Sequence, residues 1–227
     1  MQPYFLPYTG YFQLIGAVDL FVVYDNIKYT KKGWINRNRF LQNGSDAVFS
    51  LPLKGASDSL DVRERELAAD FARAKLLSRF RGAYSRAPHF AQAMPVIEEI
   101  VGNGEHNLFK YIHASICRLR EHLDLKTEII TSSDIAIDHE LTGQEKVLAI
   151  CRAAGAKSYV NAIGGTELYS REEFRRCDVT LQFIKSRPFE YAQFGNPFVA
   201  SLSIVDSLMF NPLRTVQDCV LNNYDLI

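Results

Sequence analysis

The sequence predicts one α/β domain, built on a Rossmann-like, mostly parallel sheet. Short apolar runs rich in Val and Ile alternate along the chain with segments of helical spacing, which is the pattern of parallel α/β sheets. No Pro-, Gly- or Ser-rich linker divides residues 1–227, so we expect a single folded unit. Residues 63–123 show helical signals without a strand signal, so we expect them to form a helical lobe or insert within that domain.

The first half of the chain provides most of the helical signals. Residues 63–84 are rich in Ala, Leu, Arg and Glu, which favour helix. Residues 102–104 (Gly-Asn-Gly) separate the next two helical segments. The apolar spacing predicts helices at residues 11–20, 63–84, 91–101 and 106–123, and strands at residues 20–24 and 46–53.

The second half alternates between the two element types more regularly. Its pattern predicts strands at residues 127–130, 157–160 and 179–184, and helices at residues 142–154, after residue 170, and at 202–210 and 213–221. In open α/β sheets, ligands bind beyond the carboxyl ends of the strands. We therefore expect the chemistry at Asp25, at Ser132–Ser133 and in the segment Asn161–Gly165.

Composition excludes several function classes. The 26 basic and 26 acidic residues give a net charge of zero, whereas a general nucleic-acid binder is normally basic. No run of 18 apolar residues and no secretory signal pattern are present. The four cysteines and five histidines are scattered rather than set at metal-ligand spacing. We expect a cytoplasmic protein with a small-molecule substrate, no nucleic-acid partner, no membrane span and no metal; a homo-oligomer stays open.

The opening segment MQPYFLPYTGYFQLI combines two prolines and a glycine in a stiff loop that leads into a helix. Such a helix start presents free backbone N–H groups that can bind an anion. A tight turn that buries aromatic side chains in the core explains the pattern equally well. The candidate binding residues of this segment are Gln2, Pro3, Tyr8, Gly10 and Tyr11.

The next segment concentrates positive charge. Between Asp25 and Asp46 there are five basic residues and no acidic one. Arginine binds phosphate or carboxylate bidentately, and aromatic rings stack on bases or sugars. This favours a small anionic ligand, such as a nucleotide or nucleotide-sugar, over a merely solvated loop. The candidate catalytic residues are Asp25, Lys32 and Arg37, and the candidate binding residues are Tyr29, Trp34, Asn36, Asn38 and Arg39.

Two later features add candidates. Paired glycines after a predicted strand can adopt positive φ and wrap a ligand, so Asn161, Gly164 and Gly165 are candidate binding residues, with a plain connecting turn as the alternative. Asp206 lies in an apolar helical segment, where a carboxylate needs a partner. We expect it either to clamp an arginine of the basic segment or to act in catalysis.

Taken together, these segments resemble the WbqC-like family of bacterial proteins over nearly the whole chain. The resemblance is carried by MQPYFLPYTGYFQLI, VDLFVVYDNIKY, KKGWINRNRF, ITSSDI, YVNAIGGTELYSREEF, YAQFG and SLSIVDSLMFN. It implies a role in surface-polysaccharide (O-antigen) biosynthesis, as a glycine transferase that acts on amino sugars. It also adds Gln193, in YAQFG, to the candidate binding residues.

The opening segment is also similar, more distantly, to the signature of HIGH-type nucleotidyltransferases and pantothenate synthetases. Tyr8 and Tyr11 occupy the two histidine positions of that motif. Tyrosine can hydrogen-bond a phosphate but carries no positive charge, so nucleotidyl transfer is not expected. Those folds place a strand before the loop. Two alternatives stay open here: that strand is dispensable, or it precedes Met1.

We therefore predict an enzyme that joins a glycyl-type aminoacyl group to the amino group of a nucleotide-linked sugar. It would be an amide-forming transferase or an ATP-dependent ligase, with ATP as the activating cofactor. Lys32, Arg37 and Arg39 would hold diphosphate or carboxylate, and Asp25 would bind or deprotonate the attacking amine. One alternative is a non-catalytic nucleotide or nucleotide-sugar binding protein of HIGH-type descent. A second is a partner-interaction module that uses the aromatic residues at 183–198.

Overall fold

A computed structural model describes residues 1–55, 57 and 59–227 and confirms the α/β prediction. Helices α1 to α8 span Thr9–Gly16, Arg73–Tyr84, Phe90–Gly102, Leu108–His122, Gly143–Ala153, Arg171–Arg176, Ile204–Phe210 and Leu213–Asn222. Strands β1 to β7 span Leu20–Val23, Arg37–Gln42, Ser45–Ser50, Glu128–Thr131, Ser158–Ala162, Thr180–Ser186 and Tyr224–Leu226. Short 3₁₀ helices occupy Val62–Glu64, Ser132–Asp134 and Ile163–Leu168.

The strands pair in both orientations. β1 runs parallel to β4, with Leu20 opposite Glu128, and β5 runs parallel to β6, with Ser158 opposite Thr180. β7 is antiparallel to β6. β2 and β3 form an antiparallel hairpin, with Arg37 opposite Ser50. The parallel pairs agree with the predicted type of sheet. The described strands, however, form three separate sheets, β1–β4, β2–β3 and β5–β6–β7, instead of one.

Of the hairpin, the strand at residues 46–53 was predicted and β2 was not, because the basic and polar residues at its start lack the apolar run that predicts a strand. The turn between β2 and β3 is Asn43-Gly44, and both residues have positive φ, 53° and 78°. Asn-Gly with two positive φ values is the favoured two-residue hairpin turn, because its twist matches that of the flanking strands. The second half of the basic segment is therefore an ordered strand rather than a loop.

Helix α2 begins at Arg73, so the prediction of helix from residue 63 is wrong over its first ten residues. The chain there makes backbone hydrogen bonds to other segments: Leu67 N–H donates to the backbone carbonyl of His106, and Lys54 N–H donates to the backbone carbonyl of Glu66. These long-range bonds outweigh the local helix propensity. The rest of residues 63–123 is helical as expected, in α2, α3 and α4.

Aromatic side chains form much of the main hydrophobic core and fix the opening segment. The Phe5 ring packs edge-on against Phe49 at 6.1 Å and lies 5.5 Å from Tyr111. Phe49 in turn lies 5.2 Å from Phe80 of α2. The opening segment, the β2–β3 hairpin and the helices of residues 73–122 thus share one core. No helix in the described part of the chain is long and apolar enough to cross a bilayer.

Candidate functional site

The opening turn is fixed against two other segments by backbone hydrogen bonds. Phe5 N–H donates to the Ile35 carbonyl at 3.0 Å, and Ile204 N–H donates to the Pro7 carbonyl at 2.8 Å. Leu6 has a positive φ of 45°, and its carbonyl accepts hydrogen bonds from the side chains of Asn38 and Ser203. The turn therefore joins the start of β2 to the start of α7.

Five side chains gather beside this turn, and we call them the aromatic–arginine cluster: Tyr4, Tyr8, Trp34, Arg37 and Arg39. The Tyr4 ring lies 6.3 Å from the Tyr8 ring and 6.5 Å from the Trp34 ring. The guanidinium carbons of Arg37 and Arg39 lie 5.1 and 5.8 Å from the Trp34 ring centroid, which is cation–π distance. Tyr8 and Trp34 are 38% and 39% exposed, so two large aromatic faces reach solvent next to two positive charges.

The two arginines of the cluster differ in how they are neutralised. Arg39 forms an ion pair with Asp46 at 3.3 Å and donates to the Ser201 carbonyl at 3.2 Å. Arg37 donates to the Lys32 carbonyl and has no carboxylate partner among the described residues. Its Nε is buried and donates to nothing in the described part of the chain. Arg37 is therefore the charge with most capacity left for an anion.

The charges of both arginines act on the pKa of the Tyr4 hydroxyl. Burial, with a smaller contribution from Tyr8, raises the pKa of the Tyr4 hydroxyl to about 12, and Arg39 and Arg37 oppose the shift. The hydroxyl donates to Asn38 Oδ1 at 3.2 Å. Tyr4 thus stays a neutral hydrogen-bonding group in the cluster. It was not predicted as a site residue, although it lies within the segment that was singled out.

Gly10 allows the turn to close. A Cβ at this position would lie 2.5 Å from Cε2 of Tyr8 and 3.1 Å from Oγ of Ser186. Only glycine therefore leaves the Tyr8 ring in its place above the first turn of α1. Tyr11 is buried and its hydroxyl donates to the Gln2 carbonyl at 3.0 Å.

The remaining predicted residues of the first 40 lie around the cluster in different roles. Gln2 is exposed, and Pro3 is buried beneath the turn. Tyr29 donates to Asn36 Oδ1 at 3.0 Å, and Asn36 donates to the Leu51 carbonyl at 2.8 Å. These two residues support the backbone before β2. Lys32 is exposed, and its backbone carbonyl accepts a hydrogen bond from Arg37, so its positive charge lies on a residue that contacts the cluster.

Asp25 lies at the end of β1, where the structure brings it together with the predicted Ser132–Ser133. Its Oδ1 accepts from Ser132 Oγ at 2.9 Å and from Ser133 N–H at 3.1 Å. Arg63, which was not predicted, reaches the other oxygen at 3.8 Å. Burial raises the pKa of Asp25, but the hydrogen bonds from Ser133 and Ser132 outweigh it and hold the pKa below its usual value. The group is an ionised carboxylate that can hold an ammonium, and its proton affinity is low.

The segment after β5 differs from the prediction. Residues 163–168 form a 3₁₀ helix, and neither Gly164 nor Gly165 has a positive φ, so the expectation of a left-handed ligand-wrapping loop is wrong. A Cβ on Gly165 would lie 3.1 Å from Asn161 Nδ2, which makes glycine a packing requirement there. Asn161 Oδ1 accepts from Ala162 N–H at 2.8 Å.

Among the described residues no arginine contacts Asp206, so the first of the two expected roles, an arginine clamp, is not observed. Asp206 is the centre of a buried network of neutral groups. Tyr84 donates to its Oδ1 at 2.9 Å, while Tyr191 and Gln193 donate to its Oδ2 at 2.8 and 2.7 Å. Burial raises the pKa of Asp206, and these three hydrogen bonds oppose that shift. Gln193 is fully buried, and its carbonyl oxygen accepts from Val199 N–H. The side-chain nitrogen and oxygen of Gln193, a predicted binding residue, are therefore both hydrogen-bonded to other groups of the protein.

The chain matches the model of the WbqC-like protein family over residues 2–218. It belongs to the WbqC-like family. It is also 26% identical over 216 residues to the uncharacterized protein Rv1507c of Mycobacterium tuberculosis, a match that covers 93% of this chain and 91% of that protein. No solved structure matches the chain significantly.

In this WbqC-like chain, three of the segments that carry the resemblance meet at one place. MQPYFLPYTGYFQLI supplies Tyr4 and Tyr8, and KKGWINRNRF supplies Trp34, Arg37 and Arg39. SLSIVDSLMFN contacts both segments through its backbone: Ile204 N–H donates to the Pro7 carbonyl and Ser203 N–H donates to the Arg39 carbonyl. Residues far apart in sequence thus build one aromatic and positively charged surface.

Proposed function

We propose that the protein is a cytoplasmic enzyme of surface-polysaccharide biosynthesis that transfers a glycyl-type aminoacyl group to the amino group of a nucleotide-linked sugar. The observation that carries the proposal is the aromatic–arginine cluster. It offers two exposed aromatic faces next to Arg37, whose charge meets no carboxylate in the described part of the chain. That combination suits a base or sugar ring attached to a phosphate.

The proposed division of labour follows the charge and exposure of each group. Arg37 and Arg39 hold the diphosphate, with Lys32 at the edge, and Trp34 and Tyr8 stack on the base or the sugar ring. Asp25 holds the sugar ammonium until it is deprotonated by solvent, because a carboxylate with a lowered pKa binds a cation better than it takes a proton. Its place at the end of β1, beyond which ligands of α/β sheets bind, supports this role.

The transfer itself is an acyl substitution. The free amino nitrogen of the sugar bonds to the acyl carbon, the bond between that carbon and its leaving oxygen breaks, and the nitrogen loses one proton. Where the donor is a free amino acid, ATP supplies the activation: the leaving oxygen then belongs to phosphate or AMP. These are the transferase and ligase forms of the same proposal.

The experiment compares binding and product formation with one pair of variants. Arg37→Ala removes the arginine of the cluster that has no carboxylate partner among the described residues. Arg118→Ala removes a partly exposed arginine of α4 that pairs with Glu99 of α3 at 2.8 Å. Thermal shifts are measured with ATP, UDP-sugars and dTDP-sugars, and mass spectrometry follows an amino-sugar nucleotide incubated with glycine and ATP. We expect a stabilising nucleotide and a glycyl mass gain in the unmodified protein and in Arg118→Ala. In Arg37→Ala we expect affinity to fall by roughly tenfold or more.

A specific observation favours the second candidate, a binding protein without catalysis. The oxygens of Asp25 are held by Ser132, Ser133 and Arg63. Among the described residues, the only carboxylate paired with an arginine of the aromatic–arginine cluster is Asp46, on Arg39. Tight nucleotide binding by the cluster without a mass gain from any aminoacyl donor would establish the binder and reject the enzyme. Absence of nucleotide binding would reject both.

A further inference from the structure

A second feature, independent of the proposed function, lies between β1 and β5. A cavity of about 450 Å³ separates these two strands along most of their length. Residues 18–22 line one side and residues 156–160 line the other. Apolar side chains of α1 and α5, including Leu14 and Ile150, close it above and below. We call this cavity the strand slot.

Both walls of the strand slot are sheet edges. Among the described residues, β1 pairs with β4 but not with β5, and β5 pairs with β6 on its other side. Successive residues of a strand direct their backbone groups to alternate neighbours. The Glu128 N–H group donates to the backbone carbonyl of Asp19, and the Thr180 N–H group donates to that of Lys157. The backbone groups of the alternate residues, Leu20, Val22, Ser158 and Val160, therefore point into the slot.

Met1 already occupies one end of the strand slot as a strand residue. Its amino nitrogen donates to the Val22 carbonyl at 2.7 Å, and its carbonyl accepts from Tyr24 N–H at 2.9 Å. This is the hydrogen-bond pattern of a parallel bridge opposite Val23. Any residue bonded to the amino nitrogen of Met1 would therefore continue back along β1, into the cavity.

The chemistry at Met1 fits a peptide nitrogen better than an ammonium. Burial lowers the pKa of the Met1 amino group to about 5, because the charged form loses its water. A peptide N–H makes the same hydrogen bond to Val22 without a charge to desolvate. The hydrophobic core is also divided at this place: Val147 and Cys151, which line the slot, belong to a smaller cluster separate from the main one.

We propose that the strand slot binds one extended apolar segment of about five residues, joined to the Met1 amino nitrogen and parallel to β1, which bridges β1 to β5 and makes one continuous sheet. The length follows from the five residues, 18–22, that line one wall. The apolar character follows from the helices on both faces, since strands covered on both sides are apolar throughout. Its bulk would join the two hydrophobic clusters.

The test uses two versions of the full chain with five residues fused before Met1. One carries the apolar β-forming extension Val-Ile-Val-Ile-Val, and the length-matched control carries Gly-Ser-Gly-Ser-Gly. Thermal unfolding measures stability, and amide hydrogen exchange is measured at Val22, Ser158 and Val160. We expect the apolar extension to raise the melting temperature by about 5 °C or more and to slow exchange at these amides at least tenfold, while the polar extension does neither.

Two results would overturn the proposal. Equal melting temperatures and equal exchange for the two extensions would show that the slot does not accept a strand. Sedimentation of the unextended chain as a dimer that persists with the apolar extension, with the three amides already protected, would show that a second copy fills the slot instead. The nucleotide-binding test above does not depend on either result, because Arg37 lies outside the slot.

Discussion

The aromatic–arginine cluster and the Asp206 network treat charge in opposite ways. In the network, a carboxylate with no exposed surface receives three hydrogen bonds from neutral donors. In the cluster, the Arg37 guanidinium donates to one carbonyl and leaves its Nε without an acceptor among the described residues. The two regions are linked through Thr9, which follows Tyr8 in the chain: its hydroxyl lies 3.0 Å from that of Ser207, which in turn lies 3.1 Å from the Tyr191 hydroxyl.

The difference teaches how to separate structural from functional charge. A buried charge whose hydrogen-bonding capacity is filled by the protein holds the fold in place and has nothing left for a ligand. A charge that is packed in position on an aromatic ring but not neutralised keeps its capacity for a partner from outside. The sequence predicted Arg37 as a site residue and left Asp206 open between a structural and a catalytic role, and the contacts now distinguish the two.

The largest effect is expected from breaking the network. Asp206→Ala leaves the hydroxyls of Tyr84 and Tyr191 and the amide of Gln193 without their acceptor in the core. Unpaired buried polar groups cost so much that we expect a loss of about 3 to 5 kcal/mol in the free energy of unfolding. Urea denaturation measures it. Asp218→Ala, at an exposed aspartate of α8, is the control and should change stability by less than about 0.5 kcal/mol. A loss below 1 kcal/mol in Asp206→Ala would mean that the network is not structural.

The pH dependence of the free energy of unfolding compares Asp206 with a second buried ionisable group, the amino group of Met1. In a chain that begins at Met1, burial lowers the pKa of the amino group to about 5 from 8.0, so between these values the unfolded chain binds more protons than the folded one. Stability therefore rises as pH increases from 5 to 8, by up to about 4 kcal/mol for this group. Asp206, with its raised pKa, acts in the opposite direction, because its contribution falls as pH rises through its folded pKa.

Urea denaturation at pH 5.5 and pH 8 measures this slope. The chain with Gly-Ser-Gly-Ser-Gly before Met1 is the control, because it removes the ammonium from the buried position without filling the slot with apolar side chains. The slope between the two pH values should be clearly smaller in that chain. An identical slope in both would show that the Met1 amino group is not responsible.

A smaller effect separates stability from binding at the cluster. In Gly10→Ala the new Cβ displaces the Tyr8 ring, which is half exposed and can move outward. We expect unfolding stability to fall by about 1 kcal/mol or less, and nucleotide affinity to fall by roughly threefold to tenfold. Gly82→Ala in α2, where a Cβ meets nothing within 4 Å, is the matched control. It should gain about 0.5 to 1 kcal/mol of stability and leave affinity unchanged. Loss of stability without loss of affinity in Gly10→Ala would separate Tyr8 from the site.

Much of the fold could be predicted from local patterns. The apolar run at residues 20–24 placed β1 at Leu20–Val23, and helices α3, α4, α5 and α8 lie within two residues of their predicted bounds. The β2–β3 hairpin could have been found from Asn43-Gly44, a turn signal between two short segments. The late start of α2 could not, because its cause is pairing with residues that are distant in sequence, such as His106.

The candidate site was predictable in part. The sequence pointed to the opening turn and the basic segment separately, and the structure brings Tyr8, Trp34, Arg37 and Arg39 together as neighbours. The association of Asp25 with Ser132–Ser133 also followed from the rule for strand ends. The partners of Asp206 could not be predicted, since its three donors come from α2 and from the chain before α7, whose approach depends on packing.

The central claim is that the aromatic–arginine cluster binds an anionic ligand, and the single tryptophan of the sequence tests it most directly. Because Trp34 lies in the cluster, its fluorescence reports on this site alone. Titration with a UDP- or dTDP-linked amino sugar should change that fluorescence saturably in the unmodified protein and in Arg118→Ala, with the midpoint shifted at least tenfold in Arg37→Ala. Unchanged Trp34 fluorescence, while calorimetry detects binding of the same ligand, would contradict the account, because the ligand would then bind elsewhere.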